Sequence, residues 1–194
     1  LGAPSAEVTV TPTSLPTVAS LPFTEGFESW ISSCGTNDRP GVNWTSSVVT
    51  GEESWRRNNQ GSSASWTLAS GGAYSPTSTV GSFSARFHSY FAADYGRLDA
   101  YVDCSTGAST KQLSFDYINT SGSDILDVFV STDNGLSFIS VTPTLTTASS
   151  WTTVVIPFTS SNPITIVRLR ALGDVGSTDI GVDNFKIITL TPCS

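Results

Sequence analysis

The 194-residue sequence has no methionine, one histidine and three cysteines, and only 13% of its residues are charged. Each scarcity removes a class of chemistry. His88 stands alone, and Cys34, Cys104 and Cys193 lie far apart with no CxxC pair, so no zinc set is encoded. There is no GxSxG elbow and no HExxH pair, which leaves no familiar hydrolase or zinc-protease motif. No apolar run approaches the length of a membrane span, and no window carries the helical period of apolar residues. The opening LGAPSAEV lacks the basic and apolar stretches of a signal peptide, so the chain is expected to be a mature product or an excised segment. Basic residues are few as well, 9 against 16 acidic ones, for a net charge of −7. Such a surface repels phosphate backbones and anionic lipids, so neither nucleic acid nor a membrane is an expected partner.

What is present is the composition of a secreted all-β protein: abundant Ser, Thr, Gly and Asn, 10% aromatics, and β-branched residues in short runs. The stretch from Phe83 to Phe138 organises the chain. Leu98, Ala100 and Val102 alternate with Asp99, Tyr101 and Asp103; Leu113, Phe115 and Tyr117 alternate with polar residues; so do Leu126, Val128 and Val130. A period of two means strands with one buried and one wet face. Asp133-Asn134-Gly135 supplies the positive φ angles that a chain reversal between strands needs.

Residues 1–20 mix Pro, Thr and Ser and are expected to be a linker, or an arm laid along the domain, with Val8 and Val10 able to form a short edge strand. The domain is expected to span 21–190, with 191–194 opening a second linker. Short strands are expected around Trp44–Val49, Ser54–Arg57 and Ala64–Leu68. Longer ones are expected over Trp151–Phe158, Ile164–Leu172 and Asp179–Thr189, with Pro157 and Pro163 marking strand ends or edges. The regular spacing predicts two antiparallel sheets packed as a sandwich.

The densest polar-aromatic cluster is Trp55-Arg56-Arg57-Asn58. Sugars stack their C–H faces on flat aromatics and bond their hydroxyls to planar polar groups, and this cluster holds both. With His88 and Tyr90 of the neighbouring ARFHSY strand it forms the candidate ligand-binding set. Four of the five tryptophans fall between Ser29 and Tyr74, more than a core filled by Val, Leu, Ile and Phe requires, which points some indoles to the surface. Adjacent strand residues face opposite ways, so one of Arg56 and Arg57 at most shares the ligand's side. Arg168 and Arg170 alternate with Val167 and Leu169 and are expected to pair with carboxylates across strands. No residue constellation qualifies as catalytic, and His88 is expected to be an ordinary strand residue.

Three stretches together, LPFTEGFESW, then SFSARFHSY with GRLDAYVD and KQLSFDY, then DIGVDNFKI, resemble the jelly-roll modules of the MAM and cleaved-adhesin type found in secreted multi-domain proteins of the Bacteroidetes kind. The resemblance covers roughly residues 21–190 and implies a jelly-roll β-sandwich. It also implies one structural Ca²⁺ held by Glu28 and Asp183, with Glu25 and Asn184 as further donors, because first and last strands lying side by side would bring these groups together. Finally, it implies a disulfide joining Cys104 to Cys193, with Cys34–Cys104 as the rival pairing. The expected function is a non-catalytic extracellular module that binds a polysaccharide or attaches its parent chain to a surface glycan. The competing classes are a protein–protein adhesion module that meets a surface protein, and a ligand-free accessory domain of a larger secreted enzyme.

Overall fold

A computed structural model describes residues 16–31, 39–47, 54–59, 74–88, 95–120, 122–174 and 179–191, with the backbone alone described at His88. Every regular element among them is a β-strand: β1 (Ala19–Ser20), β2 (Phe23–Glu25), β3 (Trp44–Ser47), β4 (Trp55–Arg57), β5 (Ala85–His88), β6 (Tyr95–Asp103), β7 (Thr110–Asn119), β8 (Ile125–Ser131), β9 (Ile139–Ser140), β10 (Ala148–Thr159), β11 (Thr165–Leu172) and β12 (Asp179–Thr189). They form two six-stranded sheets. In the first, β6 pairs with β11, β11 with β8 and β8 with β9, while β3 and the parallel β1 share the other edge of β6. In the second, β10-β7-β12 run side by side, and the far edge of β12 is shared end to end by β5 and β2. The protein is a jelly-roll β-sandwich.

The core lies where the alternation puts it. Leu98, Ala100, Val102, Leu113, Leu126 and Val128 are completely buried, and Phe115, Tyr117 and Val130 nearly so. These residues form one continuous cluster between the two sheets with Val167, Leu169, Ala171, Val182 and Ile187. Burial of such side chains chiefly holds the sheets together, at roughly 1.5–3 kcal/mol each relative to exposure. Pro157 sits on β10, an edge strand, where its missing N–H breaks no ladder bond. Asn134 (φ 61°) and Gly135 (φ 88°) both take the left-handed conformation, and the reversal between β8 and β9 spans 132–138.

Residues just before Leu21 lie along the domain, in keeping with the arm alternative. Ala19 and Ser20 pair with Val102 and Asp103, the Thr17 amide donates to the Val42 carbonyl (3.0 Å), and the Asn43 side-chain amide donates to the Thr17 carbonyl (2.9 Å). Residues 16–20 are thus an arm stitched into the first sheet; Val8, Val10 and the expected strand at Ala64–Leu68 lie outside the described residues. The expected disulfide is not seen at Cys104. Cys104 is a free thiol, 1% exposed and part of the core, with the Thr165 and Ser160 hydroxyls beside it. Its sulfur points inward between the sheets, and Cys34 and Cys193 lie outside the described residues.

Candidate functional site

The segment 74–83 covers the outer face of the second sheet around Gly181 and Asp183. Outward-facing Gly181 leaves room for it: a Cβ there would stand 2.6 Å from the Tyr74 ring and 2.7 Å from Ile118. Tyr74 packs edge-on against Trp151 (5.3 Å between centroids), whose indole N–H donates to the Pro76 carbonyl at 2.8 Å. Tyr74 Oη shares a hydrogen bond with the Ser84 hydroxyl. A β-bulge between Asp183 and Lys186, with Asn184 at φ 50°, shifts the inward set of β12 from Ile180 and Val182 to Phe185 and Ile187. The bulge falls opposite the gap between β5 and β2, and it turns the Asp183 carboxylate toward the segment.

These are the residues from which a calcium site was expected. As expected, β2 lies beside β12, with Glu25 in register with Phe185. Asp183 Oδ2 accepts the amides of Thr79 (2.6 Å) and Val80 (2.9 Å), and Oδ1 accepts that of Asn184 (2.7 Å). Glu28 Oε1 accepts the amides of Ser82 and Phe83 (2.8 and 2.9 Å), and Glu25 Oε1 that of Phe27 (2.8 Å). Asp116, in register with Asp183, takes hydroxyls from Thr79 and Thr153, both at 2.6 Å, and the Asn184 side-chain amide at 3.2 Å. Burial pushes the Glu25 and Asp183 carboxyls above their ordinary ranges. At Asp116 burial acts the same way, but hydrogen bonds from Thr153, Thr79 and Asn184 prevail and hold it low.

This donor set does not fit Ca²⁺. A hard cation needs several lone pairs converging on one point, whereas here amide and hydroxyl hydrogens aim at the carboxylate oxygens. Among the described residues no three His, Cys, Asp or Glu side chains converge as a metal-ligating group. Glu28 and Asp183 act instead as two clips on one loop. Gly81 (φ 67°) is required between them, since a Cβ there would collide with Glu28 Oε1.

The expected ligand-binding cluster is likewise structural. Trp55 is completely buried against Phe87, and its indole N–H donates to the Gly96 carbonyl at 3.2 Å, so it offers no face to a sugar. Trp44 is buried too, ringed by Phe23, Phe27 and Phe185. Arg56 is 7% exposed and donates through Nε to the Ser54 hydroxyl, and burial lowers its pKa. Arg57 donates to Asn59 and to the Glu28 carbonyl and lies over the Phe83 ring. Asn58, 6% exposed, donates to the Thr77 carbonyl. The cluster braces the 74–83 segment from one side. The His88 side chain and Tyr90 lie outside the described residues.

The first sheet is different. Its outer face carries a groove of about 490 Å³, walled by Val18, Ile164 and Ile166, with Tyr101, Phe138, Asp99, Arg168 and Asn134 supplying aromatic and polar surface. Arg168 donates to Asp99 through Nε (2.9 Å) and Nη2 (2.8 Å), and its guanidinium lies 3.6 Å over the Phe138 ring. One register step along the sheet, Arg170 pairs with Asp127 at 2.6 Å between the Tyr95 and Phe129 rings. The expected cross-strand pairing of both arginines is therefore present. Asp133 holds the loop that presents Asn134 and Phe138. It accepts the Ser137 hydroxyl and amide and the Ser131 hydroxyl, which hold its carboxyl down to about 2. Sequence reasoning placed Asp99 and Tyr101 on a wet strand face but had no means of bringing Phe138 and Arg168 to them.

Architecture and site define a β-sandwich module whose first sheet carries a groove on its outer face. Solved structures share the fold. The chain is similar to a cleaved adhesin domain of Lys-gingipain from Porphyromonas gingivalis (TM-score 0.58, 12% identity, 87% of this chain and 98% of that one). It is also similar to the CBM22-1 xylan-binding domain from Paenibacillus barcinonensis Xyn10C (TM-score 0.54, 11% identity, 89% and 96%). No protein-family model and no curated protein matches the sequence. At these identities the likeness is one of fold.

Proposed function

We propose that the protein is a non-catalytic carbohydrate-binding module of a secreted, larger chain, and that it binds polysaccharide along the outer face of the first sheet. The observation that carries this reading is the groove itself: half-buried Tyr101 and Phe138 stand beside a rigid Asp99–Arg168 pair and the exposed Asn134. Aromatic rings take the C–H faces of a sugar, and pre-positioned planar polar groups take its hydroxyls without first losing side-chain freedom. The xylan-binding neighbour lends support through its shared fold. Affinity electrophoresis through gels containing plant and microbial polysaccharides tests the proposal, with Tyr101→Ala and Phe138→Ala alongside. Retardation of the wild type, lost in both variants while the circular dichroism is unchanged, supports it. Retardation unaltered by either variant removes the groove as the site.

A protein partner is the second reading, favoured by one feature. Leu136 and Ile139 on the rim of the same face are 90% and 68% exposed, more apolar surface than a sugar site uses. Leu136→Ser with Ile139→Ser leaves glycan retardation intact if the first reading holds.

A further inference from the structure

We infer that the groove selects neutral glycans and rejects acidic ones; this rests on the carbohydrate reading of the same groove. The charged residues among its described lining are Asp99 and Arg168, and they are bonded to each other through two hydrogen bonds. Asp99 neutralises the Arg168 guanidinium and occupies its Nε/Nη2 edge, and Phe138 covers one of its faces, so the N–H groups left over carry no net positive charge toward a uronate or a sulfate. The neighbouring Arg170 is also neutralised, paired through Nη2 alone to Asp127, which accepts the Thr144 hydroxyl at 2.7 Å as well.

Among the described residues, the strand charges on this face nearest the groove beyond these pairs are Asp103 and, farther off, Arg97. Asp103 follows Tyr101 on the outward side of β6, and hydrogen bonds from Ser105 keep its carboxyl low and therefore ionised. Arg97 is exposed on the same side, but in register with Arg170, on the side of Asp99 away from Tyr101. The whole chain carries a net charge of −7, so the long-range field repels a polyanion before any contact forms. For neutral hydroxyls the pair is an asset: a bonded Asp–Arg plane keeps acceptor lone pairs and donor N–H groups at its edges, fixed in direction.

The test is affinity electrophoresis of wild type and Asp99→Asn in gels containing either neutral polymers (arabinoxylan, β-1,4-galactan, glucomannan) or acidic ones (polygalacturonate, alginate), at low and high salt. Wild type is expected to be retarded by at least one neutral polymer at both salt levels and by neither acidic one. Asp99→Asn frees the Arg168 charge and is expected to gain retardation by polygalacturonate at low salt, of roughly tenfold in affinity, which high salt abolishes. Wild-type retardation by an acidic polymer alone overturns the selectivity and leaves the carbohydrate reading standing. Retardation by no polymer overturns both.

Discussion

The Arg168 guanidinium lies flat between two partners, a doubly hydrogen-bonded Asp99 carboxylate at 2.8–2.9 Å and the Phe138 ring at 3.6 Å. The pair is partly exposed, 21% for Arg168 and 10% for Asp99, so water screens it. A double-mutant cycle through Asp99→Ala and Arg168→Ala is expected to give a coupling of roughly 1–2 kcal/mol, above a typical surface pair because the geometry is bidentate. Arg168→Lys loses most of that coupling, since an ammonium cannot make the fork. Equal stability of the lysine variant and the wild type would refute the point.

Asp183 carries the 74–83 segment through the part-buried amides of Thr79 and Val80, so its loss removes their acceptor and loosens the segment. Asp183→Ala is expected to cost about 3 kcal/mol in urea unfolding. Because the carboxylates are clipped to N–H groups, added CaCl₂ and added EDTA are expected to give the same Tm in the wild type. A calcium-dependent rise that disappears in Asp183→Ala would show a cation in place of the clips.

Two carboxyls respond to pH in opposite senses. Asp183 has a raised native pKa, so the proton-linked part of its contribution is full below the unfolded value of about 4 and is lost as pH rises through the native one, while its amide bonds persist. Asp133, at about 2, contributes above the unfolded value and loses that contribution as pH falls toward 2. Carbon-detected NMR titration should resolve Asp183 above and Asp133 below the ordinary aspartate range. Asp133→Ala is expected to weaken glycan retardation at neutral pH by loosening the loop under Asn134 and Phe138. Unchanged retardation counts against the loop's role.

Trp55 is core, so its variants separate stability from binding. Trp55→Ala is expected to cost about 3–5 kcal/mol, and Trp55→Phe much less. The phenylalanine variant should keep the wild-type glycan affinity. A folded Trp55→Phe with lost affinity would return the site to this cluster.

Cys104 is buried, and burial raises its thiol pKa, so the reactive thiolate is scarce. Slow labelling by a thiol reagent in the native protein, and fast labelling after unfolding without reductant, are expected. Peptide mapping that finds Cys104 in a disulfide would contradict the free thiol.

What the sequence determined by itself was everything that depends on a residue and its close neighbours along the chain. Alternation told which side of each strand is apolar, so Leu98, Val128 and Phe115 were assigned to the core correctly, and Asn134-Gly135 to a left-handed corner. It also put Arg168 and Arg170 on a polar face needing carboxylate partners. Period two, however, states a side relative to one strand only. Trp55 looked like a sugar platform because an indole among polar residues is compatible with either side; its burial follows from β4 pairing with β5, which carries it against Phe87. Asp99 and Asp116 lie on the consecutive strands β6 and β7, yet these belong to different sheets. The resemblance implied that Glu28 and Asp183 share a cation; in the structure each holds amides of the 74–83 segment, and that segment and the bulge are long-range events invisible to local pattern. The groove has the same origin. Tyr101, Phe138 and Arg168 come from separate parts of the chain, and only strand register and the loop after β8 bring them to one face of the first sheet.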